Sequence, residues 1–276
     1  MLFYIVAAQL AGWVLSELNN PLLAGTSVIL ITGLTANVLC LRIFEGRHLA
    51  DCGLWLNHCT GRNLLLGLAG GTAAAGIVLL PPLAVGAAHF TSLPAEPPTA
   101  GSVAFLVAML AAGSIGEELL FRGYGLQVLV AGIGPWATIL PLGLLFGALH
   151  YGNPGAGLLS SAITAAFGIL FGYAYLRSRD LWLPIGLHFG WNFTLPVFGV
   201  NMSGLRIRVT GWEMTWSAGN LWSGGEYGPE ASVLTLLVLV LLFLYIRRIP
   251  VRRQVSPLID PPQEGAVCET SQPLPS

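Results

Sequence analysis

The chain has 276 residues, 54% of them hydrophobic and only 9% charged, with a net charge of −1. A water-soluble domain carries roughly 25% charged residues, and several apolar runs here reach the roughly 20 residues that cross a bilayer. Composition thus excludes an ordinary soluble domain, and the absence of a basic surface excludes a nucleic-acid-binding one.

Apolar segments fall at 2–17, 22–44, 64–90, 102–130, 134–151, 155–176, 181–200 and 231–248. Backbone groups in lipid must be satisfied within the segment, so each is predicted to be a helix. The fold class expected is an all-α, polytopic membrane bundle of about eight transmembrane helices. The first segment lacks a positive n-region and a small-residue cleavage site, and is read as a membrane helix that stays. Gly67, Gly70, Gly71 and Gly76 of the third segment are read as close-packing positions. Pro81-Pro82 is expected to kink or end that helix, and Pro141 to kink the fifth.

There is no lysine, and arginine placement sets the orientation. Arg42, Arg47 and Arg62 flank the second connection, Arg177 and Arg179 the end of the sixth segment. Arg247, Arg248, Arg252 and Arg253 follow the eighth. Eight spans with both termini cytoplasmic put all of these on one side and leave Arg206 and Arg208 outside, in the 201–230 loop. That loop also carries Trp212, Trp216 and Trp222, expected at the membrane interface. Residues 250–276 are Pro-rich and polar, and are expected to be a disordered tail. The four cysteines lack the density of a disulfide framework. Cys52, His58 and Cys59 share a loop and are read as free thiols and an unassigned histidine rather than a metal site.

Three clusters place ionisable groups within apolar helix: Glu117-Glu118 with Arg122, His150 after Phe146, and His188 with Asn192. Such residues are costly in lipid and point to function. Glu118 and Arg122 are four apart, acid first, the favoured order for a helical ion pair. Glu117 is turned about 100° from Glu118 and is free to face another cavity. His188 and Asn192 also share a face. A carboxylate and an imidazole suit removal of a proton from water, which fits Glu117 with His150. A second imidazole and an amide suit stabilisation of an oxyanion, which fits His188 with Asn192.

Glu-Glu-x-x-x-Arg, Phe-x-x-x-His and His-x-x-x-Asn, in that order on separate segments, resemble the motif set of the CAAX protease and bacteriocin-processing (CPBP, or ABI) family of intramembrane glutamic endopeptidases. The flanking EELLFRGYGLQVL and LWLPIGLHFGWN are similar to family sequence, and the resemblance covers roughly 101–197. It implies a helical bundle with a site among the core helices. Glu117 and His150 would activate water, His188 and Asn192 would form the oxyanion site, and Glu118 with Arg122 would hold the site in shape. The implied division is N-terminal transmembrane helices over 1–100, a catalytic core over 101–200, an extracytoplasmic loop over 201–230, a last transmembrane helix over 231–249 and the tail over 250–276. No cofactor is expected. The expected partners are a peptide or protein substrate at the membrane and the lipid bilayer, with no nucleic acid. The expected location is a cell membrane, multi-pass and bacterial.

Three alternatives stay open at this level. The same residues could ligate zinc, although His-Glu-x-x-His is absent. They could form a proton relay in a transporter. The chain could also be a non-catalytic immunity partner.

Overall fold

The structure, a computed structural model, describes residues 21–93 and 98–260. The 2–17 segment and the tail beyond 260 lie outside the described residues. Nine α-helices are described: α1 Pro21–Cys40, α2 His58–Ala84, α3 Ala100–Arg122, α4 Tyr124–Ile133, α5 Pro135–Leu149, α6 Leu158–Ser178, α7 Trp182–Val197, α8 Asn220–Ser223 and α9 Val233–Arg248. Two short antiparallel strands, β1 Ala88–Ser92 and β2 Trp212–Trp216, pair in the register Ala88↔Trp216 to Ser92↔Trp212. The protein is therefore nearly all-α. The third apolar segment ends as helix at Ala84, and its last residues enter β1, whose backbone groups the 201–230 loop satisfies through β2.

Among the described residues, four helices are long and apolar enough to cross a membrane: Leu22–Glu45, His58–Ala84, Ala100–Ile133 (α3 with α4) and Leu158–Ser178. The expected single span over 102–130 is broken. α3 stops at Arg122, and the freed Tyr124 amide donates to Asn37 Oδ1 at 2.6 Å. A side chain at Gly123 would collide with that same amide group, so glycine is what lets α1 approach the break. α2 ends at Ala84, within a turn of Pro81 and Pro82, and α5 continues through Pro141.

Three helix pairs approach through glycine. In α1–α3, a Cβ on Gly116 would stand 2.7 Å from Leu30 N. In α2–α7, Gly67 and Gly71 lie against the carbonyls of Leu183 and Leu187, while Gly186 and Gly190 lie against those of Leu64 and Leu68. In α5–α6, Gly143 and Gly147 lie against Ala165 and Ser161. Without a hydrophobic drive between helices in lipid, such contact is what holds them. Gly76 differs from the sequence reading: nothing but Leu80 Cδ1, at 3.8 Å, is near it.

The bundle has two ends. At one, the α6–α7 turn meets the α1–α2 connection: Leu181 N donates to Gly53 O (2.9 Å), and Asn63 Nδ2 to Asp180 Oδ2. Residues 250–260, read from sequence as the start of a disordered tail, are fastened across this end. Arg252 N donates to Asn63 Oδ1 (2.9 Å), Ser256 Oγ to Gln127 Oε1 (2.9 Å), and Arg179 Nε pairs with Asp260 (3.2 Å). These buried polar groups on α2 and α4 need partners, and the segment supplies them. At the other end lie the sheet, the turn after α5 and the 201–230 loop.

Candidate functional site

Each helix pair delivers one part of the site. α3 carries Glu117 and Glu118 near its C-terminal end, directly after the Gly116 contact with α1. α5 stops at Leu149, so His150 sits at its C-terminus and opens a short 3₁₀ turn, His150–Gly152. α5 has only 15 residues, and this brings His150 to the level of Glu117. α7, held against α2 by glycine, presents His188 and, one turn on, Asn192.

His150 Nδ1 lies 2.7 Å from Phe146 O. A carbonyl only accepts, so Nδ1 carries a proton, and in the neutral tautomer the lone pair is on Nε2. His188 Nδ1 donates in the same way to Glu118 Oε1 at 2.9 Å. Both Nε2 atoms face Glu117 Oε2, at 4.0 Å from His150 and 3.9 Å from His188. That oxygen is buried and has no hydrogen-bond partner. An unpartnered buried carboxylate oxygen is costly and calls for a ligand.

One oxygen atom hydrogen-bonded at about 2.8 Å to both members of such a pair spans a gap of this size as a bent bridge. Zinc fits less well. Bonds of about 2.0–2.1 Å at a tetrahedral angle would set ligand atoms about 3.4 Å apart, closer than the 3.9 and 4.0 Å found. Among the described residues no three His, Cys, Asp or Glu stand where they could hold a metal ion. Cys52, His58 and Cys59 form no such group; Cys52 is fully buried and its thiol is pushed up to about 12 by burial.

Glu118 and Arg122 are paired, and the pair does more than neutralise itself. Arg122 NH1 reaches Glu118 Oε1 at 3.3 Å, while NH2 donates to Gly168 O on α6 at 2.6 Å. The same Oε1 takes the His188 bond, so Glu118 links the guanidinium to an imidazole of the site. The arginine lies within 5.0–5.5 Å of the ring centres of Phe121, Phe146 and Phe171. Phe171 stacks on His188 (4.9 Å, 18°), and Phe146 packs on His150 (4.6 Å). Phe146 and Phe171 thus fix both imidazoles. The motif spacing signals Phe146, four residues before His150, whereas Phe171 on α6 carries no local signal.

Glu117, His150, His188 and Asn192 all line one cavity of about 730 Å³, with walls of Leu, Ile, Met and Phe from α1, α3 and α6. Asn192 is half-buried there. Glu230, which sequence reasoning missed, also lines it. It is buried, its Oε1 accepts from Trp191 Nε1 (3.0 Å), and its Oε2 accepts from the Ser203 amide and hydroxyl. Burial pushes this carboxyl above the usual range, against the hydrogen bonds that pull it down. A glutamate in a polar loop gives no sign in sequence that it folds back onto the residue beside Asn192.

No curated protein and no solved structure matches the chain. Residues 99–194, the segment that holds all six motif residues, match the model of the family described as Type II CAAX prenyl endopeptidase Rce1-like, in agreement with the CAAX-processing family that the three motifs resemble.

Proposed function

We propose that the chain is a multi-pass intramembrane endopeptidase that hydrolyses a peptide bond at the membrane, with Glu117 as general base. The observation that carries this reading is the unpartnered Glu117 Oε2, set 4.0 and 3.9 Å from two imidazole Nε2 atoms inside an apolar cavity. A water bridging Glu117 and His150 would lose its proton to the carboxylate as its oxygen attacks the scissile carbonyl. The developing oxyanion would be met by His188 and Asn192, which in a dry cavity gives a large stabilisation. The proton then passes from Glu117 to the leaving nitrogen. Glu118 accepts from His188 Nδ1, so the ring would donate to the oxyanion through Nε2–H in its doubly protonated form, and Arg122 anchors Glu118 to α6.

The topology that goes with this reading is eight spans with both termini cytoplasmic, the α6–α7 turn inside and the 201–230 loop outside, in a bacterial plasma membrane. The test of mechanism is Glu117→Gln, which keeps shape and hydrogen bonding but removes the basic carboxylate. Cleavage by the purified enzyme should fall at least about a hundredfold, and chelators should leave the parent active. A Glu117→Gln enzyme that cleaves as fast as the parent would exclude Glu117 as the general base, and a purified parent that cleaves nothing would favour a relay or partner role. Loss on chelation with recovery on adding zinc would transfer His150 and His188 to metal binding.

A further inference from the structure

The cavity is not symmetric between the two ends of the bundle. Its α3 lining begins at Leu106 and ends at Phe121. It therefore extends from Glu117 back toward the helix N-terminus, beside the sheet end. Its α1 lining, Leu22 to Ile29, lies at the same end, as does the stretch 202–208. α7 contributes His188 at the bottom and Asn192 one turn nearer the sheet.

The opposite end is closed below the site. Glu118 and Arg122 are 0% and 2% exposed, and Arg122 is tied to Gly168 O. Beneath them Gln127 bonds Cys52 O (2.8 Å) and Ser256 (2.9 Å), and the 250–260 segment lies across that end. This closed end also carries the arginines that follow α1 and α9 and flank the α6–α7 turn. The open end has Arg206 and Arg208. Arginine-rich connections stay in the cytoplasm.

We infer that the substrate reaches Glu117 from the extracytoplasmic face, past the 202–208 segment, as an extended apolar stretch of polypeptide exposed on that side. The inference rests on the protease reading for what enters, and on the arginine distribution for where it enters. The walls suit apolar side chains, and the buried Glu230 holds the rim by fixing Ser203. A cytoplasmic peptide would have to pass the strapped, arginine-rich end to reach the same carboxylate.

Two single cysteines in the full chain test this, in sealed right-side-out membrane vesicles treated with a small membrane-impermeant thiol reagent and read by peptide mapping. Leu205→Cys reports the rim, where Leu205 is 40% exposed. Met109→Cys reports the cavity wall between rim and site, where Met109 is half-buried. The native Cys59, half-buried at the start of α2, reports the arginine-rich end. Both introduced cysteines should be modified in intact vesicles, and Cys59 only after permeabilisation. Modification of Cys59 from outside would invert the topology and overturn the inference. A cysteine at 109 that reacts from the inside only, or from neither side, would show the outward path closed and overturn it too. None of these outcomes touches the protease reading, which is tested separately by cleavage by the purified parent and by Glu117→Gln.

Discussion

Replacing Glu118 by Gln separates the structural job of that residue from the chemistry beside it. The amide keeps an oxygen where Oε1 accepts from His188 Nδ1, but it removes the carboxylate paired with Arg122. Glu118 is 0% and Arg122 2% exposed, so water cannot take over. Breaking a buried pair from one side costs about 3–5 kcal/mol. Arg122 retains Gly168 O and three aromatic faces, each ring worth about 0.5–2 kcal/mol to a cation, which sets the expected loss near the lower end, about 3 kcal/mol. At about 2–4 °C per kcal/mol for a chain of this size, the melting temperature in detergent should drop by roughly 6–12 °C. Adding Arg122→Met removes the stranded charge, and the double variant should recover most of that loss, because neutral replacements of buried pairs are tolerated. Thermal unfolding of the parent, both singles and the double forms a cycle whose coupling should exceed about 2 kcal/mol. A Glu118→Gln protein that melts within about 2 °C of the parent, or a double variant less stable than either single, would refute the reasoning.

Asn192→Ala should cost cleavage a factor comparable to that of Glu117→Gln, by removing an oxyanion donor, with little change in melting. Glu230→Gln places an amide N–H₂ where the carboxylate accepts from Trp191 or Ser203, so hydrogen exchange over 201–208 should quicken and stability should fall by about 1–3 kcal/mol. Asp180 is pushed up to about 6 by burial, above its unfolded value near 3.9. The folded state therefore holds this proton more tightly, and stability is full below about pH 4 and lost as pH rises through about 6, by up to roughly 3 kcal/mol. Melting curves from pH 4 to 8 should show that decline relative to Asp180→Asn; an identical profile in the two proteins would exclude Asp180 as its source. Gly71→Ala should destabilise by about 1–3 kcal/mol through overpacking against α7, while Gly76→Ala, which meets open space, should be neutral or mildly stabilising.

Spacing within one helix was the most legible part of the site. The four-residue interval in Glu118–Arg122 and in His188–Asn192 is a property of helix geometry alone, and the structure pairs the first and puts the second in one cavity. What spacing does not carry is contact between helices. The Glu118–His188 bond and the Phe171 stack depend on how α6 and α7 meet α3, and that follows from glycine contacts spread over the chain. Hydropathy likewise joined α3 to α4, because Gly123 and Tyr124 are as compatible with a span as with a break; the partner that makes the break, Asn37, is on another helix. The ordering of 250–260 was hidden for a similar reason. A polar, Pro-rich segment reads as solvated until buried groups elsewhere, here Asn63 and Gln127, need it.

The three glycine-lined helix pairs have a consequence for how the enzyme would fail. Each pair is held by backbone contact along its length, whereas around the site the pairs meet through side chains, Glu118 on His188 and Arg122 on Gly168 O. Heat or mild detergent should therefore let intact pairs slip before any helix unwinds. A slip of about 1 Å at the Glu117 gap is enough to cost about a hundredfold in rate, while circular dichroism, which reads helix content, would register nothing. Inactivation should precede melting, and a ligand that bridges α3, α5 and α7 should raise the inactivation temperature more than the melting temperature.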